Sequence, residues 1–223
     1  MSMNEKTTIT CPYCKAEGDF EMWKSVNIQL NPELKEKILN MEIFTYKCPK
    51  CGKEASVAYP LLYHDMSKQI MIYLVNNDEE SIENTAKILS GEGMESFEDF
   101  GDFSKEYTSR IVTSPLDLRE KISIFDAGLD DRIIELAKLF YAGMAIEQFP
   151  DNRIHEVQFG TDENGSSYLA FIDENGVFAN AELSEELYDD TKKLFEEKIK
   201  NPVSENFVYD VNWAHNLFGE NDE

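Results

Sequence analysis

Cys11-Pro12-Tyr13-Cys14 and Cys48-Pro49-Lys50-Cys51 each place two thiols on one tight turn. Two such knuckles offer four thiolates, the ligand set of a tetrahedral zinc site, so the chain must fold in a way that brings both turns around one ion. The expected cofactor is one structural zinc per chain, held by Cys11, Cys14, Cys48 and Cys51. A fifth ligand is not evident, and a closed shell of four cysteines leaves no open position for water or substrate. Gly52 suits the left-handed position that often closes a knuckle. Residues 15–47 separate the pairs, more than the roughly 15–20 of a short zinc ribbon, so a strand and a helix are expected as an elaboration between them. Lys15, Lys47, Lys50 and Lys53 all lie within two residues of a cysteine. There they can offset the charge of about −2 that zinc with four thiolates carries.

The patterning around the knuckles predicts an α+β protein. Phe20, Met22, Val26, Ile28 and Leu30 share one parity, as a half-buried strand requires. Asn31 is the expected cap of a short helix with Pro32 at its first position, running to about Asn40, and Met41–Lys47 returns as a strand. Lys53–Val75 reads as a hairpin about Asp65-Met66-Ser67-Lys68, followed by a helix from Asp78 or Ser81 to Gly91. The first module, residues 8–90, is therefore an elaborated, zinc-ribbon-like antiparallel β module.

Residues 91–104 read as an acidic linker rich in Gly and Phe, and residues 105–218 as an acidic α+β domain. That domain opens with a short strand at Arg110–Thr113. A helix pair follows, the first capped at Ser114-Pro115 and ending at Gly128. The second starts from Asp130, with Ile133, Leu136, Ala137, Phe140 and Met144 as its apolar stripe. The tetrapeptides Asp162-Glu163-Asn164-Gly165 and Asp173-Glu174-Asn175-Gly176 separate apolar runs and predict a three-stranded meander. They lack the alternating ligands and terminal glutamate of a calcium loop. A C-terminal helix starts at Ser184, and residues 207–218 fit strand or helix equally.

Charge also divides the chain into two regions of different character. Residues 1–60 hold 8 basic and 8 acidic side chains, and residues 61–223 hold 13 and 36, which accounts for the net charge of −23. That balance argues against a general nucleic-acid or anionic-membrane binder, since both rest on a basic surface. It fits a basic protein as partner, with Phe97, Phe100 and Phe103 in the linker as candidate docking residues; oligomeric state is not legible. Met1–Thr10 has no apolar core and the longest purely apolar stretch is Ile70–Val75, so a cytoplasmic protein with reduced thiols is expected and no membrane span.

The whole pattern resembles the CpXC family, named for its two Cys-Pro-x-Cys pairs. The resemblance rests on Cys11, Cys14, Cys48 and Cys51, with Pro60-Leu61-Leu62-Tyr63-His64-Asp65 after the second knuckle. Leu118-Arg119-Glu120-Lys121-Ile122 and Asp130-Asp131-Arg132 extend it. It implies a zinc-binding module and adds no reaction, the family being a bacterial and archaeal one of uncharacterised role. Cys-Pro-Tyr-Cys also looks like the dithiol motif of glutaredoxins, in which the second cysteine opens a long helix. Here Gly18 and Asp19 interrupt any helix and an alternating strand pattern follows, against thiol–disulfide catalysis. His64, His155 and His215 stand at no shared helical or strand spacing, and His64-Asp65 points to opposite faces of a strand. No Walker loop, Gly-x-Gly-x-x-Gly or Gly-x-Ser-x-Gly occurs. The expected role is a binding or regulatory protein, with an enzyme of unknown, hydrolase-like reaction as the alternative and no catalytic residue assigned.

Overall fold

The computed structural model describes residues 2–91, 107–200 and 207–219. Phe97, Phe100 and Phe103, with nearly all of the expected linker, lie outside the described residues. The architecture is mixed α+β, and the chain divides into two compact units, Met1–Arg119 and Glu120–Glu223.

In chain order the first unit runs β1 (Met3–Thr10), β2 (Glu17–Asn27), α1 (Glu33–Leu39), one 3-10 turn (Glu42–Phe44), β3 (Thr45–Lys47) and β4 (Glu54–Ser56). It continues through β5 (Leu61–Asp65), β6 (Ile70–Leu74), α2 (Glu79–Ser90) and β7 (Thr108–Val112). Five strands form one sheet in the order β1-β2-β5-β6-β7, and β3-β4 is a separate two-stranded sheet. The joins β1/β2 and β5/β6 are antiparallel, whereas β2/β5 and β6/β7 are parallel. The large sheet is thus mixed rather than wholly antiparallel. Parallel neighbours need a long crossover, and the stretch from α1 to β4, second knuckle included, is the crossover from β2 to β5. The short strand expected to open the second module is β7, the edge strand of this first sheet.

Local chemistry explains where the first unit departs from expectation. Strand β2 alternates over its first half, with Phe20 inward between exposed Asp19 and Glu21, but Lys24, on the same parity as Phe20 and Val26, is exposed. It ends at Asn27, whose side-chain oxygen accepts the backbone N–H of Gln29 (3.0 Å) and Leu30 (3.3 Å) and turns the chain. Pro32 occupies the cap position of α1 in near-helical geometry with no side-chain cap; Asn31 instead donates to Glu33. Only Thr45–Lys47 of the expected strand Met41–Lys47 is extended, because Met41 adopts φ 61° and the 3-10 turn buries Ile43 and Phe44 together. Helix α2 forms as patterned, between an Asp78 cap on Ser81 N–H (2.8 Å) and Gly91 at φ +79°.

The second unit takes up the chain within α3 (Pro115–Asp126), followed by α4 (Asp131–Gln148), β8 (Glu156–Thr161), β9 (Ser167–Asp173) and β10 (Gly176–Glu182). It closes with α5 (Glu185–Lys200) and α6 (Val211–Gly219). The three strands form the antiparallel meander β10-β9-β8. Its repeated turn acids are turn builders: Asp162 accepts from Asn164 and Ser166 N–H (2.8 Å each), Asp173 from Asn175 N–H (2.7 Å). Helix α4 buries more than the predicted stripe. Ile133, Ile134, Leu136 and Ala137 are all but inaccessible, while Met144, expected at the end of the stripe, is 61% exposed. Residues Val211–Gly219 are helical, with Asp210 capping Trp213 N–H (2.8 Å) and Ala214 and Leu217 packed with Leu136 and Phe195.

Candidate metal centre

Each cysteine pair caps an antiparallel hairpin, and the two hairpins match residue for residue. Thr10 pairs with Glu17 across the first knuckle and Lys47 with Glu54 across the second. Cys11 N–H donates to Ala16 O (2.8 Å) and Cys48 N–H to Lys53 O (2.9 Å). Lys15 N–H donates to Cys11 O (3.0 Å) and Gly52 N–H to Cys48 O (2.9 Å). The fifth position of each knuckle is left-handed, φ 60° at Lys15 and φ 71° at Gly52. Gly52 therefore has the expected role, and a lysine bears the same strain in the first knuckle.

The knuckle backbone faces its own sulfurs. N–H groups of Cys14 and then Tyr13 favour the ionised form of Cys11 and hold that thiol below its ordinary range, against the burial that opposes it. Cys51 and Lys50 N–H act in the same way on Cys48 and pull it to about 6. At Cys51 the Lys53 N–H also favours ionisation, but desolvation and the three other thiols outweigh it and push the group up to about 11. Four thiols this close cannot all ionise unaided; a cation among them is what would let them do so.

All four Sγ atoms lie within 4.8 Å of one another. Cys11 and Cys51 approach to 3.7 Å and Cys14 and Cys48 to 3.6 Å. A tetrahedron with Zn–S bonds of about 2.3 Å has edges of about 3.8 Å, so the sulfurs sit close to the spacing that such an ion requires. Both close contacts cross from one knuckle to the other, and the first pair leads into strand β2 rather than a helix. Cys11 and Cys48 are buried and Cys51 is exposed. The four residues singled out in the sequence are thus one cluster fitted to a metal ion.

Side chains also lock the hairpins together. Lys53 Nζ lies 4.7 Å from the Tyr13 ring centroid of the opposite knuckle, while Lys47 pairs with Glu54 within the second hairpin (3.3 Å). Gly18, opposite Ile9 in the ladder, is covered by the other hairpin: a Cβ there would lie 2.4 Å from Tyr46 Oη and 3.0 Å from Pro49 Cδ. Gly18→Ala is expected to lower the thermal stability of the first unit by about 1–3 kcal/mol through overpacking. Gly52→Ala, with nothing within 4 Å of its Cβ, should cost only the left-handed backbone penalty of about 1–2 kcal/mol. Thermal melts of the metal-saturated protein compare the two, and a neutral Gly18→Ala would show that the hairpins yield.

The other candidates do not converge. Asp65 is buried in the β5–β6 turn, where its carboxylate accepts Gln29 Nε2 (2.9 Å), Ser67 Oγ (2.6 Å) and the N–H groups of Ser67 and Lys68. Burial opposes its charge, but those donors win and keep it below the usual range. His64 lies against the Tyr107 ring and burial lowers it; the turn, rather than a catalytic pair, occupies Asp65.

A cluster that the sequence reading did not assign lies inside the second unit. Lys121 Nζ contacts Glu135 Oε1 (3.0 Å), Asp131 Oδ2 (3.1 Å) and Tyr209 O (2.6 Å). Lys138 Nζ contacts Glu120 Oε2 (2.7 Å) and both oxygens of Glu135 (3.2 Å each). Glu120 Oε1 accepts Phe159 N–H (2.5 Å). All five side chains are buried, so the cluster braces the fold and offers no open position to a substrate.

A family model described as CpXC protein matches residues 9–138, more than half of the chain, spanning both knuckles and α3 and ending within α4. No curated protein and no solved structure matches.

Proposed function

The chain belongs to the CpXC family, and from that membership we propose that it is a zinc-binding protein whose metal is structural and whose role is binding or regulation. The observation that carries this reading is the sulfur tetrahedron, with its two cross-knuckle contacts of 3.6 and 3.7 Å. Zinc suits it because four thiolates at this spacing match a d10 ion with no redox chemistry, and a closed shell holds the hairpins without presenting a reactive water. Thiol–disulfide catalysis is disfavoured because the close sulfurs belong to different knuckles and no helix follows Cys14.

The acidic half is the proposed partner-facing surface, and its complement is a basic protein. Glu185, Glu186, Asp189 and Asp190 are exposed on the first turns of α5, which supports electrostatic capture of such a partner. Among the described residues no helix is long and apolar enough to cross a membrane, in keeping with the cytoplasmic location proposed here.

Elemental analysis of the native protein is expected to find one zinc per chain, and Cys48→Ser to abolish it. Retention of a stoichiometric basic protein from lysate should weaken as the Debye length falls from roughly 30 Å at 0.01 M salt to 10 Å at 0.1 M. Zinc with indiscriminate retention of every basic protein would leave the metal assignment standing and remove the partner.

A further inference from the structure

We propose that Cys51 is an oxidation site and the cysteine cluster a peroxide-sensitive switch: a hydroperoxide oxidises Cys51, Cys11 closes a disulfide onto it, and the metal is let go. The inference rests on the zinc reading above and names how that site is regulated.

The four sulfurs differ in access. Cys11 and Cys48 are 0% and 1% exposed and Cys14 is half-buried, whereas Cys51 is exposed. Pro49, Lys50, Gly52, Lys53 and Glu54 around Cys51 are exposed as well, and nothing lies within 4 Å of where a Gly52 Cβ would be. A small oxidant therefore meets this sulfur before the other three. Metal binding takes the cysteines as thiolates, so the loaded protein presents Cys51 to solvent in the form that attacks a peroxide. Lys50 and Lys53 flank it, which makes the electropositive, open setting in which cysteines react.

The resolving thiol is already in place. Cys11 Sγ lies 3.7 Å from Cys51 Sγ and belongs to the other knuckle. The second close contact, Cys14 to Cys48 at 3.6 Å, involves no exposed sulfur. Closing the first gap to a disulfide of about 2.05 Å asks for a short swing of the Cys51 side chain, whose surroundings are open.

The Cys51 thiolate gives an electron pair to one peroxide oxygen; the S–O bond forms, the O–O bond breaks, and hydroxide leaves and takes a proton as water. Sulfur is oxidised to a sulfenic acid and the peroxide is reduced. The Cys11 thiolate then attacks the Cys51 sulfur, the S–S bond forms, and the S–O bond breaks with release of a second hydroxide that also takes a proton. Two thiolates, one hydrogen peroxide and two protons thus give one disulfide and two waters. Only Cys14 and Cys48 are left to hold a metal ion. The new bond ties one knuckle to the other, so a thiol reductant and fresh zinc can restore the site.

The test treats zinc-loaded, full-length protein with a single equivalent of hydrogen peroxide. In parallel samples a chromophoric chelator reads released zinc, a sulfenic-acid trap marks the first sulfur oxidised, and non-reducing peptide mapping reads the disulfide. The trap should label Cys51, the disulfide should join Cys11 to Cys51, zinc should appear in step with it, and dithiothreitol with zinc should reverse the change. Cys51→His, which keeps a fourth metal ligand, should hold its zinc at the peroxide concentration that empties wild type; should that variant bind no zinc, the wild-type mapping decides alone. A label on another cysteine, a first disulfide within one knuckle, zinc retained through excess peroxide, or equal sensitivity of a zinc-loaded Cys51→His overturns the proposal. A wild type that takes up no zinc sinks the zinc reading itself, and is recognised before peroxide is added.

Discussion

Stripping the metal with a chelator, or replacing Cys48 by Ser, is expected to unfold the knuckle-bearing unit while the second unit keeps its structure. Strands β3 and β4 have three residues each and form a sheet of their own; a two-stranded hairpin of that size is marginal in water. It lies in the crossover between the parallel strands β2 and β5, so its loss frees the segment whose Leu34, Ile38, Ile43 and Phe44 sit in the core. Structural zinc contributes on the order of 10 kcal/mol in knuckle peptides, comparable to the whole stability of about 5–15 kcal/mol of a typical domain. The second unit has apolar clusters of its own, one of them around Ile124, Ile134, Leu169 and Phe171. Amide exchange reads both halves at once. Cys48, Gly52 and Val57 N–H should lose protection on chelation, while Leu169, Ala170 and Phe171 N–H keep theirs. Unchanged protection in the first hairpins would remove the metal from the list of things that hold this fold.

The knuckles were legible because cysteine chemistry leaves few options: four thiols in two short turns have one economical use. Helix ends were legible for a similar reason, since Asp78, Ser114 and Asp130 are local hydrogen-bond acceptors and act within three residues. Strand partnership is not local. β7 carries the residues Thr-Ser-Arg-Ile-Val, which alternate poorly, and its place beside β6 depends on a parallel pairing that no turn signal marks. A boundary drawn from composition therefore falls between two neighbouring strands of one sheet. A protease cut between them is expected to leave β7 bound in that sheet under native conditions, the pieces parting only in denaturant. The buried charges were hidden for a different reason. Glu120, Lys121, Glu135 and Lys138 look like an ordinary solvated face, and the helical wheel agrees: at about 100° per residue Ile133, Ile134, Leu136 and Ala137 cover one side of α4 while Asp131, Glu135 and Lys138 share the other. Both sides are buried all the same, because Glu120 and Lys121 of α3 and the Tyr209 carbonyl are packed against that polar side. Such cover comes from long-range packing, which periodicity does not report.

Lys138→Met is expected to destabilise the second unit by about 3–5 kcal/mol at neutral pH, the range for breaking one partner out of a buried ion pair. The ammonium serves Glu120 and Glu135 together, and without it both carboxylates stay in a dry core beside Lys121, which is already shared with Asp131. Burial, reinforced by the Glu135 charge, raises Glu120 above its usual range in spite of Lys138. Burial likewise opposes the charge on Glu135, but Lys121 and then Lys138 overcome it and hold that carboxyl low. Burial would lower both lysines, yet the surrounding carboxylates raise them, Lys121 chiefly through Glu135 and Lys138 chiefly through Glu120. The signs follow. Glu135, depressed in the fold, contributes stability above its unfolded pKa of about 4.3 and loses it as pH falls through the lower folded value. The lysines, raised in the fold, contribute fully below about 10.4 and lose it as pH climbs through their folded values. Glu120 runs opposite to Glu135: its ionisation costs stability as pH rises past about 4.3, and Lys138 is what contains that cost. The gap between wild type and Lys138→Met should therefore be widest near neutrality and narrow in acid, where both orphaned carboxylates can take a proton. Urea melts of the two proteins at pH 7 and pH 4, followed by a probe in the meander, measure it. A penalty that does not change with pH would mean that Lys138 matters for its aliphatic packing alone.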